Sequence, residues 1–312
     1  MPILHFAKVN INSEIFSVYK GERKINDILQ NLYDAINDQK EYIKVEVRSF
    51  LDEKDDLKEF DIKRTFSFSD IEKLNNGAKQ YITGRLVKRF PIFTEEFNSE
   101  TRKTEKIVKD GAVSVLFYFD VHREIVTFCE RLRFGHSQFI EALQYMLNQF
   151  TDIGYEIFLI NDPFSIQERI QQAYKVTKIK ATVIPPNMNE EHLEDLYNRN
   201  VAEMEEAGIN KKTTVFEVNR KSIKGININS KLVSETLDTN DAYRNFEVGY
   251  GRLTVDGQNK DGSGFHYDSD EHSPYQTIID EAEKNSVNLF IEASNQGILT
   301  LLGKQMIERY KE

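Results

Sequence analysis

The chain has 312 residues, 39% of them hydrophobic and 29% charged, and 41 Lys+Arg against 51 Asp+Glu give a net charge of −10. That length suits one large domain or two modest ones, and 21 Phe with 14 Tyr supply apolar area for a core, which excludes a wholly disordered chain. No apolar run approaches the roughly 20 residues of a membrane-spanning helix. Met1-Pro2-Ile3-Leu4-His5 lacks the pattern of a secretory signal, and the single Cys129 excludes an internal disulfide or a multi-cysteine zinc site. A protein of a reducing, cytoplasmic compartment is the expectation.

In chain order, residues 3–11 read as a strand and 25–36 as a helix, because Ile25, Ile28, Leu29, Leu32, Tyr33 and Ile36 recur at helical spacing. Alternation predicts strands over 42–48 and 60–68, joined by a charged loop, and again over 81–87 after the turn Asn75-Asn76-Gly77. Pro91 ends that strand, and the polar, weakly periodic stretch 94–110 reads as a mobile excursion. The apolar run 113–119 pairs with 125–133, and Ser137 opens a helix to Phe150.

After residue 150 the rhythm changes. Strands are predicted over 155–160, 174–184, 213–218, 246–255 and 287–291. Helices are predicted over 165–173, 190–207 (closed by Gly208), 274–285 and 296–310, with 257–274 as a Gly/Asp/Ser/His loop. The fold class is α+β, with a mostly antiparallel sheet and helices in residues 1–152 and a mixed α/β layer in 153–312 that can share its sheet with the first half.

Charge is unevenly placed: residues 1–150 carry 23 Lys+Arg against 24 Asp+Glu, residues 151–312 carry 18 against 27. Contact with a phosphate backbone therefore needs a local basic patch, best sought in the first half. Arg85, Lys88, Arg89, Arg123, Arg131 and Arg133 are the candidates for nucleic-acid or partner binding, with Phe90, Phe93 and Phe97 as stacking planes. Solvated strand faces with core phenylalanines are the plainer alternative.

His266, Asp268, Asp270 and His272 crowd two imidazoles and two carboxylates into seven residues, a donor set that suits a divalent cation and metal-assisted phosphodiester hydrolysis. Their spacing matches neither HExxH nor an EF-hand, and an exposed acidic turn is the plainer reading. Lys211, Lys212, Arg220, Lys221 and Lys224 around Gly225 form a weaker phosphate candidate without P-loop order. Cys129, set among Val126, Thr127 and Phe128, reads as a buried, unreactive thiol, and His122 and His136 flank the same hairpin. No cofactor is otherwise indicated. The acidic outer face of 190–207 suits a basic partner or a second copy in a homo-oligomer.

Three stretches carry a resemblance: Tyr81-Ile82-Thr83-Gly84-Arg85-Leu86, Phe117-Tyr118-Phe119-Asp120-Val121-His122, and Ile179-Lys180-Ala181-Thr182-Val183-Ile184-Pro185-Pro186-Asn187. In order and spacing, over about residues 1–295, the chain resembles an uncharacterised family of bacterial proteins found on mobile islands beside phage-defence genes. Pro185-Pro186-Asn187 departs from the Arg-Pro-Asn pattern. The resemblance implies an intracellular prokaryotic protein with an antiviral role and assigns no catalytic residue. Three readings follow: a non-catalytic binding or sensing subunit of an anti-phage system, a metal-dependent nuclease or phosphodiesterase using 266–272, and an oligomeric scaffold.

Overall fold

A computed structural model describes residues 1–51, 57–75, 79–162, 170, 172–185, 187, 195–219, 221–245 and 249–309. The strands are β1 (Ile3–Asn10), β2 (Glu41–Leu51), β3 (Leu57–Asn75), β4 (Gln80–Asn98), β5 (Lys103–Asp120), β6 (Ile125–Cys129), β7 (Glu156–Leu159), β8 (Lys175–Ile184), β9 (Lys212–Glu217), β10 (Tyr250–Gln258), β11 (Gly264–Asp268) and β12 (Gln276–Ile278). The helices are α1 (Ile15–Tyr19), α2 (Ile25–Ala35), α3 (His136–Phe150), α4 (Asp195–Glu206), α5 (Lys231–Asn245), α6 (Ser269–His272), α7 (Glu281–Asn285) and α8 (Val287–Arg309).

The α+β class holds. An eight-stranded sheet runs in the order β12-β1-β6-β5-β4-β3-β2, with β7 also on β1, and a second sheet runs β11-β10-β8-β9. All these pairings are antiparallel. The first sheet crosses residue 152, since β12 pairs with Ile3–His5 and β7 with Ala7–Asn10 along the same edge of β1.

Strand β1 is buried on both faces because helices cover both. On one side Ala7, Val9, Phe66, Leu86, Phe117 and Phe128 meet α2 and α3 through Leu32, Phe139, Leu143 and Met146. On the other, Leu4, Phe6, Leu116 and Ile125 meet α8 through Phe290, Ile298 and Leu301. The smaller sheet packs Ile179, Leu253 and Val255 against Val233 and Leu237 of α5.

The two sheets meet at a buried polar joint. Lys8 and Glu124, 2% and 1% exposed, stand 3.3 Å apart. Lys8 Nζ also donates to the Arg123 carbonyl (2.7 Å), and Asn187 Nδ2, just past β8, donates to Glu124 Oε1 (2.8 Å). Burial pushes the Glu124 carboxyl above its ordinary value, while Lys8 and Asn187 oppose that shift. Beside the pair, the rings of Phe158 and Tyr250 lie 3.8 Å apart, centroid to centroid.

Several sequence expectations are corrected. Residues 94–110 are no loose excursion: β4 and β5 stay paired from Tyr81↔Asp120 to Asn98↔Lys103. Such a two-stranded ribbon is wet on both faces, so charges mask its period. The stretch 257–274 contains the β10–β11 hairpin and α6. Residues 287–291 open α8, not a strand; a short apolar run does not separate a buried strand from a helix turn. The preceding helix starts at Glu281, where Asp280 and Glu283 form a capping box, seven residues after Pro274. Helix α5, rich in Asn, Thr and Asp, was not expected at all. Residues 76–77, most of 165–173, Pro186 and residues 190–194 lie outside the described residues; Gly208, at φ +68°, closes α4 as expected.

Helix α8 approaches the sheet closely at Gly297, where an added Cβ would stand 2.4 Å from the buried Phe6 ring, while Gly303 on the same helix has open space. Gly297→Val is therefore expected to cost about 1–3 kcal/mol through overpacking. Gly303→Ala should gain up to about 1 kcal/mol through helix propensity. Urea unfolding of both variants checks this pair of opposite signs.

Candidate binding cleft

The large sheet forks. Strand β3 pairs with β2 from Leu57 to Ser67 but with β4 only from Thr65↔Arg89 onward, while β4 remains paired with β5 out to Asn98. Pro91 lies two residues past the last β3 partner; without an N–H it is tolerated where β4 has a neighbour on one side only. Two ribbons, β2–β3 and β4–β5, thus separate beyond Arg89.

Arg64, Lys88, Phe90, Pro91, Ile92, Phe93, Arg133 and Gln138 line a cleft of about 430 Å³ at the fork. Lys88 is buried because β4 alternation puts it on the face of core residue Leu86. Its Nζ donates to the Arg133 carbonyl and to Gln138 Oε1 (2.7 Å). The same ammonium lies 5.3 Å from the Phe90 ring centroid and 5.6 Å from that of Phe134, and the Arg133 guanidinium is 5.9 Å from Phe90. Arg64 Nη1 donates to Glu46 Oε1 at 2.6 Å. Burial, reinforced by the Arg64 charge, lowers Lys88 to about 8.

Of the six cations proposed from sequence, the fold brings Lys88 and Arg133 together and keeps the others apart. Arg85 faces Asp70 at 3.5 Å, Arg89 pairs with Glu41, and Arg123 pairs with Asp120 at 2.7 Å. Arg131 donates to Asn285 Oδ1 at 3.2 Å. Sequence reasoning missed Arg64, although its spacing from Ile62 and Phe66 places a charge on the inward face of a strand. Phe90 and Phe93 join the cleft, and Phe97 lies exposed farther along the β4–β5 ribbon.

The 266–272 cluster is not gathered as a donor set. Arg252 holds Asp268 through two hydrogen bonds of 3.0 and 2.5 Å. Asp270 accepts from the Tyr250 hydroxyl (2.6 Å) and from Asn161 Nδ2 (3.2 Å). His266 turns to Asp256 at 2.6 Å, and His272 Nδ1 accepts from the Asp268 N–H. Burial raises the Asp270 carboxyl; at Asp268 burial is outweighed by Arg252, which holds it low. The Asp268–Arg252 pair lies within the smaller sheet, and Asp270 links that sheet to Asn161, just beyond β7 of the larger one. Among the described residues, the grouping of three metal-type donors is instead His5, Glu130 and His136. Cys129 is buried and its thiol is pushed up to about 12 by burial, as an unreactive side chain should be. In the basic group around Gly225, Lys211 pairs with Glu156 and Arg220 lies outside the described residues.

Fold and cleft define an antiparallel α+β protein in which a forked sheet carries a cationic, aromatic hollow. The family model of a domain of unknown function, DUF4747, matches residues 36–295, and the chain belongs to that family. This agrees with the resemblance to an uncharacterised family; no curated protein matches the chain.

Lys88 sets a pH dependence. Its folded-state value, about 8, lies below the ordinary 10.5, so over that interval the unfolded chain binds the additional proton and stability rises with pH. The penalty for burying the charge is complete below about pH 8 and is relieved as pH climbs to the unfolded value. Lys88→Met should lack this rise, so the wild-type minus variant difference in urea-unfolding free energy should increase by about 1–3 kcal/mol between pH 7.5 and 10.5.

Proposed function

We propose that this protein is a non-catalytic binding or sensing subunit that takes single-stranded nucleic acid into the cleft at the fork, and we assign that role to a bacterial anti-phage system. The observation that carries the reading is the convergence of Arg64, Lys88 and Arg133 with Phe90 and Phe93 around one hollow. The Arg64 and Arg133 guanidinium groups meet phosphates while the buried Lys88 charge lies behind them, and aromatic faces offer sequence-tolerant stacking worth about 1–3 kcal/mol per base. Phe93 is 60% exposed at the mouth, where a base can reach it. A chain of net charge −10 attracts no polyanion through its mean field, so recognition is confined to this patch.

Anisotropy of a labelled 20-nucleotide single strand tests the reading. About two phosphate contacts, from Arg64 and Arg133, give a log–log salt slope near −1.4, a loss of roughly sevenfold between 50 and 200 mM salt. Arg133→Glu and Phe93→Ala should each weaken binding at least about tenfold, while Arg123→Glu, outside the cleft, leaves it unchanged. Absence of binding at low salt, or equal loss from Arg123→Glu, overturns the proposal. Capture of an acidic peptide instead of the oligonucleotide assigns the cleft to a protein partner.

A homo-oligomeric scaffold has one observation in its favour. Edge strand β2 exposes Ile43, Val45 and Val47 on one face, at 55, 49 and 61%. An exposed apolar edge invites pairing with a second chain. Light scattering should then give a dimer mass for the wild type and a monomer mass for Val45→Lys; a monomeric wild type removes this reading.

A further inference from the structure

We propose that His5, Glu130 and His136 form a binding site for a zinc-class divalent ion, with one coordination position left open to solvent. The three donors come from three elements. His5 lies on β1, opposite Phe128 of β6; Glu130 follows β6 directly, and His136 is the first residue of α3. One ligand atom from each lies within 4.8 Å of the other two. His136 Nδ1 and Glu130 Oε2 are 3.3 Å apart. A tetrahedral zinc with bonds of ~2.0–2.2 Å sets its donors about 3.3 Å apart, so this pair already has the required separation.

The second observation is independent of the clustering. His5 is 5% exposed, and neither ring nitrogen has a hydrogen-bond partner. A buried polar group normally finds one, and a pair of orphaned imidazole nitrogens needs an explanation. The ring is fixed rather than loose: it stacks on Phe128 at 5.5 Å between centroids and faces the His136 ring at 5.4 Å. Those contacts hold the ring in place, with one of its nitrogens within 4.8 Å of the Glu130 and His136 donor atoms. A cation between the three side chains would satisfy one His5 nitrogen with a bond stronger than any neutral hydrogen bond.

Two imidazoles and a carboxylate are borderline donors that suit zinc and its neighbours in the first transition row, and not calcium or magnesium. Three protein ligands leave the fourth position for water or for a donor from a partner. His136 and Glu130 are each 43% exposed, so that position opens outward while His5 closes the site from below. The carboxylate is fixed from behind as well, because Glu130 Oε2 accepts the His136 backbone N–H at 3.2 Å. Cys129, adjacent in sequence, packs into the core on the other face of the sheet with Leu4 and Leu116 and supplies no fourth ligand.

Chelator-treated full-length protein should be titrated with Zn²⁺ in a calorimeter and with Co²⁺ in a visible spectrometer. The expected result is one equivalent bound with a Kd below about 1 μM and a cobalt absorption band of tetrahedral intensity. His136→Ala and Glu130→Gln, both at the surface, should each weaken zinc at least about 30-fold, while His266→Ala leaves affinity unchanged. No zinc binding below about 100 μM, or affinity indifferent to His136→Ala, overturns the proposal. His5→Gln tests the buried ligand, and zinc affinity equal to wild type in that variant also overturns it. Should that variant fail to fold, hyperfine-shifted imidazole protons of the wild-type cobalt form decide the point: two rings support the site, one refutes it.

Discussion

The two sheets of this molecule meet at a buried charge pair and the asparagine that reaches it. Lys8 lies opposite Phe158 on the strand that both β7 and β12 flank, and Glu124 sits in the turn that returns β5 to β6. Such a pair adds little net stability compared with a well-packed apolar substitute, but removing either member leaves a buried charge uncompensated, typically at about 3–5 kcal/mol. Its value is positional. Asn187, the last residue of the Pro185-Pro186-Asn187 motif, can reach Glu124 only if the smaller sheet is seated correctly. The motif that lacks an arginine thus still has a polar function, carried by its asparagine.

The turn from Glu130 to His136 serves two sites at once. Arg131 and Phe134 bridge its ends, and Arg133 occupies the left-handed region at φ 70°, where a non-glycine residue persists only under firm constraint. One flank supplies Glu130 and His136 beside the orphaned imidazole of His5; the tip supplies the Arg133 carbonyl on which Lys88 rests. Anything that rigidifies the first group also fixes the floor of the cleft.

Much of the fold was legible in the residues because its signals are local. The stripe from Ile25 to Ile36, the alternation of 42–48 and the apolar run 113–119 each state their period openly, and each became the expected element. The ribbon over 94–110, helix α5 and the start of α8 were not legible. In the first, both faces are wet; in the second, weak helix formers go with an inward face that carries Asn240 and Arg244 beside Val233 and Leu237, so no clean apolar stripe shows; in the third, five residues are too few to tell one period from another. The sites divide in the same way. Lys88 and Arg133 stood out as charges near aromatics, but their convergence with Arg64 depends on register across three elements. His5 carried no local pattern, because its partners lie more than a hundred residues away. The crowded 266–272 segment gave the loudest signal and proved to be committed to Arg252, Tyr250 and Asp256.

The double edge of β1 has a consequence for biogenesis. Synthesis delivers this strand before residues 156–159 and 276–278, its neighbours on that edge. A nascent chain must leave that edge unpaired until residues 276–278 have been made, and contacts of such long sequence separation close slowly. The interval is one in which a chaperone holding β1 would raise the yield of native protein, and in which a chain cut before β12 would yield an aggregating stub in place of a smaller folded unit.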